Sequence, residues 1–241
     1  MALLCATYKE MACLLPLLEE KVDEEHTGGM RLVEGRIGGH HVLILSVGVG
    51  KVPAAAGTRF LVDRYRPRTL IVCGTAGALS PEVRIGDMVI ATELVPGDVG
   101  VAHSGGFSPT GPGLYDEGRL VFCPSFIPPP DLVERARSAA EAAGLPCHAG
   151  RVLTCDQVAA VEGIPFVVAR AVSDELSHDF VGLEKALEYR GQSRRNLWEQ
   201  RFQLTVTDPS ALGRARELLQ GRDLALERMA SFLRAFLAAG G

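Results

Sequence analysis

Glu10 stands at the start of a helix-like stretch, just after the apolar run at residues 2–7. A carboxylate in that place is either a group that does chemistry or one that merely favours the helix dipole. Further on, Gly48-Val49-Gly50-Lys51 lies between a strand-like and a helix-like segment. Its glycines let backbone approach a ligand and a helix N-terminus can receive an anion, although taken alone a plain strand-to-helix turn explains it better. The run Cys73–Leu79, CGTAGAL, reads as a tight glycine turn whose backbone N–H groups stand beside the Thr75 hydroxyl. Thr75, Ala76 and Gly77 there suit sugar hydroxyls or an oxyanion, with tight packing as the alternative. Ser173-Asp174 follows an apolar run, where an aspartate serves as a general acid or caps a helix.

Other chemistries find little support. The GxxxxGK[ST] spacing of a P-loop is absent, and Gly48–Lys51 lacks the third glycine of a dinucleotide fingerprint. His40 and His41 sit at a hairpin turn, and His103, His148 and His178 have no partners at metal-ligand spacing. No serine lies in a GxSxG elbow. Neither a metal nor any other cofactor is expected. The six cysteines form no CxxC pair, and Cys5 and Cys73 lie inside apolar runs, so they read as reduced, buried thiols of a cytoplasmic protein.

The elements that must position these residues follow from periodicity. Residues 2–7 form a short strand, and a helix follows through Glu10, Leu14, Leu15 and Leu18. Residues 30–37 and 41–47 flank Gly38-Gly39 as a β-hairpin. An alanine-rich helix covers 52–65, a buried strand 69–73 and a further strand 88–94. Residues 95–130 are rich in Gly and Pro with little periodicity, which predicts a long functional or disordered loop. A helix then covers 131–143, strands 147–154 and 166–171, and the last helix repeats Met229, Phe232, Leu233, Phe236 and Leu237 at helical spacing. Alternating strands and helices predict a single α/β domain over 1–241, with a parallel or mixed sheet covered on both faces. In such sheets ligands bind beyond the carboxyl ends of the strands, which is where Glu10, the GTAG segment and Ser173-Asp174 all fall.

Charge narrows the partner. With 25 Lys and Arg against 29 Asp and Glu, the chain carries a net charge of −4. Its charges are interspersed, so there is no footprint for nucleic acid or anionic membrane. The N-terminus lacks a basic region, and no run approaches the roughly 20 apolar residues of a membrane span. A small-molecule partner is expected.

Taken in order, these segments resemble one family. The run GVGKVPAAAGTRFLVDRYRPRTLIVCGTAGALSPEVRIGDMVIATELVPGDV, residues 48–99, is similar to the corresponding block of 5′-methylthioadenosine/S-adenosylhomocysteine nucleosidases, within the purine nucleoside phosphorylase and nucleosidase family. ATYKEM resembles that family's opening strand with its glutamate, and PFVVARAVSDE its late strand with its acidic pair. The resemblance spans residues 1–175. It implies a mixed central β-sheet flanked by helices (nucleoside phosphorylase-like), usually in a homodimer or larger homo-oligomer. It also implies cleavage of an N-glycosidic bond of a 5′-substituted adenosine to release adenine. By position, Glu10 would activate the attacking water and Asp174 would protonate the purine, oriented by Ser173. Thr75, Val49 and backbone near Val158 would line the sugar and base pocket. GVGK and the absence of a Gly-Asp-Pro start resemble the hydrolytic branch, with a phosphate-dependent phosphorylase as the alternative.

Two features depart from the pattern. The family holds the ribose with a methionine-glutamate motif on a strand followed by a helix, between the segments matched by TCDQV and PFVV. Here only the eight residues QVAAVEGI separate Asp156 from Pro165, too few for such a unit. Glu162 reads as part of a helix end capped by Gly163 rather than as a substitute. Either a segment is missing from the sequence or the deletion is genuine, which would suit a non-catalytic nucleoside-binding homologue. The second departure is an extended helical C-terminal region, about 180–241, which resembles hopanoid-associated nucleosidases. There Trp198, Phe202 and Leu204 would cover a bulky apolar 5′ substituent, or form a lid or subunit contact.

Overall fold

The most apolar strands of the chain sit at the middle of one mixed sheet, because only there are both faces covered. The structure, a computed structural model, describes residues 1–153, 163–177 and 209–239. The sheet strands are β1 (Ala2–Cys5), β2 (Glu20–Thr27), β3 (Met30–Ile37), β4 (His40–Ser46), β5 (Leu70–Gly77) and β6 (Met88–Val95). After the excursion β7 (Gly100–His103), β8 (Gly106–Pro109), β9 (Gly113–Asp116) and β10 (Arg119–Phe122) come β11 (Cys147–Leu153) and β12 (Phe166–Asp174). Their order in the eight-stranded sheet is β11-β6-β12-β5-β1-β4-β3-β2. β12, β5, β1 and β4 run parallel, whereas β6 is antiparallel to β12 and the β2-β3-β4 meander is antiparallel. Positive φ at both Gly38 and Gly39 closes the expected hairpin.

Among the described residues four α-helices cover the sheet: α1 (Tyr8–Leu14), α2 (Lys51–Tyr65), α3 (Pro130–Ala142) and α4 (Pro209–Ala238). On one face Leu3, Ile44, Ile71, Val167 and Ala169 meet α1, α3 and α4. The stripe anticipated in the last helix, Met229, Phe232, Leu233, Phe236 and Leu237, is fully buried there. Each such side chain contributes about 1.5–3 kcal/mol relative to exposure. On the other face Leu4, Leu45, Val72 and Val168 pack in one cluster with Ala54 and Leu61 of α2.

Four expectations need correction. Gly74–Gly77 is not a turn: β5 runs through it, because β12 pairs with it from Arg170↔Gly74 to Asp174↔Gly77. For the same reason Ser173 and Asp174 are the last residues of β12 rather than residues beyond it. Residues 95–130 hold two antiparallel hairpins, β7-β8 and β9-β10, whose mostly exposed strands have no buried face to impose alternation. The first helix stops at Leu14 and a 3-10 turn, Leu15–Leu17, follows around Pro16. β2 carried no apolar signal: EKVDEEHT is a charged edge strand, a composition that discourages pairing with other chains. Val158, Glu162, Trp198, Phe202 and Leu204 lie outside the described residues.

Candidate active site

Glu10 is built in by its own helix. Thr7 is the N-cap of α1, its hydroxyl accepts from the Glu10 N–H at 3.2 Å, and Glu10 Oε2 accepts from the Thr7 N–H at 2.8 Å. This capping box satisfies two otherwise orphaned donors. Oε2 also accepts from the Thr7 hydroxyl at 3.0 Å. Oε1 turns to the next strand and accepts from the Thr75 N–H at 2.8 Å and from the Thr75 hydroxyl at 3.3 Å. The carboxylate is 6% exposed, and all four of its lone-pair positions have donors. The residue that caps α1 is thus also the one that bonds to β5.

The glycines of β5 are there for close approach. A Cβ on Gly74 would stand 2.4 Å from Glu10 Oε1 and 2.9 Å from Arg170 Nη1, so carboxylate and guanidinium meet over that residue. Three residues along, a Cβ on Gly77 would stand 2.4 Å from Asp174 Oδ2. Ser173 Oγ donates to Asp174 Oδ1 at 2.6 Å and also lies 3.4 Å from the Ala76 carbonyl oxygen. The Asp174 carbonyl accepts from the Ala78 N–H at 2.8 Å. Gly221 of α4 lies against the Ser173 carbonyl, where a Cβ would be 2.4 Å from the oxygen, so the long helix braces the end of β12. Asp174 is half-buried, not enclosed, and its neighbour Glu175 is held away by Arg84 at 3.1 Å.

A cavity of about 200 Å³ opens above these strand ends, lined by Cys5, Gly48, Gly50, Thr75 and Arg170 among others. It shares Ala76, Val152, Leu153 and Arg170 with a second cavity of about 370 Å³, which passes Gly77 and Leu79 on its way to His148. Thr75, Ala76 and Gly77 thus line one cleft, with Glu10 hydrogen-bonded to Thr75 and Asp174 packed over Gly77. Val49 does not line it; its side chain is 77% exposed at the entrance to α2. Lys51 is engaged by Asp98, which ties the GVGK turn to the excursion after β6.

Sequence reasoning missed Arg170. The signal was present: a single arginine inside the apolar run FVVARAV has no reason to be there unless its charged end is used. It also missed that His148 has a partner, since Nε2 lies 2.8 Å from Oδ2 of Asp87, the residue before β6. That pairing joins residues 61 positions apart, a distance no local motif spans. Among the described residues no group of three His, Cys, Asp or Glu side chains is arranged to hold a metal ion.

Chemically, the arrangement offers two carboxylates anchored on strand positions two residues apart, about 7 Å along β5. The anchor at Thr75 presents a buried acceptor and a hydroxyl. The anchor at Gly77 presents an acid oriented by a serine. Arg170, which pairs with Gly74, lines both cavities of the cleft.

Comparison with known proteins identifies the family. The family model of the phosphorylase superfamily matches residues 1–160. The 5′-methylthioadenosine/S-adenosylhomocysteine nucleosidase of Geobacillus thermodenitrificans is 33% identical over 220 residues, covering 78% of this chain and 89% of its own. The enzyme of the same name from Haemophilus ducreyi is 33% identical over 177 residues, covering 61% and 72%. Among solved structures, the Neisseria meningitidis nucleosidase in complex with methylthio-immucillin-A superposes with a TM-score of 0.70 at 20% identity, covering 98% of this chain and 97% of that one. The chain therefore belongs to the phosphorylase superfamily and, within it, to the family of 5′-methylthioadenosine/S-adenosylhomocysteine nucleosidases.

Proposed function

We propose that this protein is a purine nucleosidase that hydrolyses the N-glycosidic bond of a 5′-substituted adenosine and releases adenine. The observation that carries this is the attachment of Glu10 and Asp174 to the same strand end, one on Thr75 and the other over Gly77. A purine is a poor leaving group until protonated, and an oxocarbenium-like sugar needs a water delivered to it. Asp174 supplies the proton to the base, and Ser173 fixes its carboxyl plane. Glu10 takes a proton from the water. Because its oxygens are already occupied, the water displaces the longest of its contacts, the Thr75 hydroxyl at 3.3 Å. That hydroxyl then turns to the ribose. Arg170 offers donors to a ribose hydroxyl or to the water.

The exposed apolar residues of the excursion, among them Phe107, Tyr115, Leu120 and Phe122, support assembly as a homo-oligomer. No helix among the described residues is long and apolar enough to cross a membrane, which suits the cytoplasmic placement proposed from the free cysteines Cys5, Cys13, Cys73, Cys123 and Cys147.

The test is chromatographic detection of free adenine from methylthioadenosine, with and without phosphate, in wild type and Asp174→Asn. Release without phosphate, lost in the variant while substrate binding persists, is the expected result. Dependence on phosphate would make the protein a phosphorylase. Binding without turnover in the wild type would make it the non-catalytic homologue.

A further inference from the structure

The strand that carries Asp174 is irregular at its end. Val172 pairs with Ala76 and Asp174 with Gly77, so Ser173 and Asp174 together stand opposite one residue of β5. Such a bulge re-aims the side chains of its strand, and the Asp174 carboxylate comes to lie over Gly77. Towards β5 the bulge is secured by the bond from the Ala78 N–H to the Asp174 carbonyl. On the other side the pairing of β12 with β6 runs only to Ala171↔Met88, one residue before Val172. The flank beyond is taken by the turn that precedes β6, residues 84–87.

That turn grips β12 before and after the bulge. Before it, the Gly86 N–H donates to the Val172 carbonyl and the Val172 N–H to the Asp87 carbonyl, each at 2.9 Å. After it, Arg84 Nη1 donates to Glu175 Oε2 at 3.1 Å, and the Ile85 N–H lies 3.4 Å from Glu175 Oε1. The turn is closed by Asp87, whose Oδ2 accepts from the Arg84 N–H at 2.9 Å and whose N–H donates to the Arg84 carbonyl at 3.0 Å. Gly221 of α4 lies against the Ser173 carbonyl and the Ile85 side chain together. The Arg84 side chain is 65% exposed and that of Glu175 24%, and an ion pair so placed adds little to folding. Neither residue lines the two cavities of the cleft, so neither meets the substrate there. Resting on the nucleosidase reading, in which Asp174 protonates the base, we infer that Arg84 and Glu175 are positioning residues for that acid. Their clasp fixes β12 just beyond the bulge and so keeps the Asp174 carboxyl seated over Gly77.

The experiment is a double-mutant cycle of Arg84→Ala and Glu175→Ala, with Arg84→Lys as the conservative variant. The readouts are kcat and KM for methylthioadenosine, Tm, and crystal structures of wild type and Glu175→Ala. Either alanine variant should lose about tenfold in kcat with KM and Tm almost unmoved, since a small misplacement of a catalytic group is costly while the binding contacts survive. The double variant should fall no further than the singles, because each removes the same clasp. Arg84→Lys should recover most of the loss, and in Glu175→Ala the Asp174 carboxylate should leave its seat over Gly77. Wild-type kcat in both single variants, or an Asp174 carboxylate unmoved in the crystal, overturns the inference. A kcat that falls only in step with Tm overturns it too, being the mark of a purely structural role. If the wild type releases no adenine from methylthioadenosine, the nucleosidase reading fails, while the crystal structures still decide whether the clasp seats Asp174.

Discussion

A β-carbon on Gly77 would lie 2.4 Å from Oδ2 of Asp174, so the space left by one missing side chain is the space the other residue's carboxylate fills. Gly77 does not have positive φ, and an alanine there is unstrained in itself. Gly77→Ala must therefore act by pushing Asp174 off its position beside Ser173. The expected outcome is a loss of about 100-fold in kcat, the scale of one general acid, with an unchanged circular dichroism spectrum. Wild-type turnover in this variant would show that the proton does not come from Asp174 as placed here.

Glu10→Gln should cost both activity and stability, unlike most isosteric changes at an active site. The carboxylate accepts from two backbone N–H groups, those of Thr7 and Thr75, on different oxygens. An amide has one oxygen, so its NH2 must face one of these donors. A buried donor left unpaired costs about 1–3 kcal/mol. At this chain length that lowers Tm by roughly 2–4 °C per kcal/mol. A melting curve unmoved by Glu10→Gln would mean that Glu10 is not holding β1 to β5.

These relationships mark how far the sequence could be read. The buried strands, the hairpin at Gly38-Gly39 and the stripe of α4 were legible because burial imposes a period on residue type. The glycines of CGTAGAL read as a turn in the sequence, since sequence does not say whether a glycine is needed for its φ or for something pressed against it. Gly77 is an instance of the second kind. β2 and the hairpins at 100–122 escaped because exposed strands have little apolar signal to show. The Glu10–Thr75 bond, across 65 residues, depends on β1 and β5 being neighbours, and the order of strands is fixed by the whole sheet.

Phe232 separates stability from chemistry. It is fully buried on α4 and packs against the Phe236 ring with centroids 5.8 Å apart, far from the carboxylates in role. Phe232→Ala should cost about 3–5 kcal/mol through lost burial and a residual cavity. The measurement is urea denaturation: the midpoint falls while kcat of the folded fraction stays within twofold. A kcat falling in step with the midpoint would instead mean that α4 transmits its packing to the end of β12 through Gly221.

The thiols beneath the site give a pH signature. Cys5 and Cys73 are fully buried with sulfurs 3.6 Å apart, and Cys13 donates to the Glu10 carbonyl at 2.9 Å. The contact with Cys73 and then burial push the Cys5 thiol well above its ordinary range. Burial pushes Cys13 up from 9.0 to about 12. A thiolate is the reactive form, so at pH 8 an alkylating reagent should leave Cys5 and Cys13 unmodified in the folded protein and label both in urea. The same shifts make stability depend on pH with a definite sign. A folded pKa above the unfolded one means that the folded chain keeps a proton the unfolded chain has lost. The stabilisation is complete below pH 9 and drains away as pH rises towards 12. Cys13→Ala, which has no proton to lose, should flatten that decline between pH 9 and 11 in denaturation titrations. An identical slope in wild type and variant would show that Cys13 ionises as freely in the folded protein as in the unfolded chain.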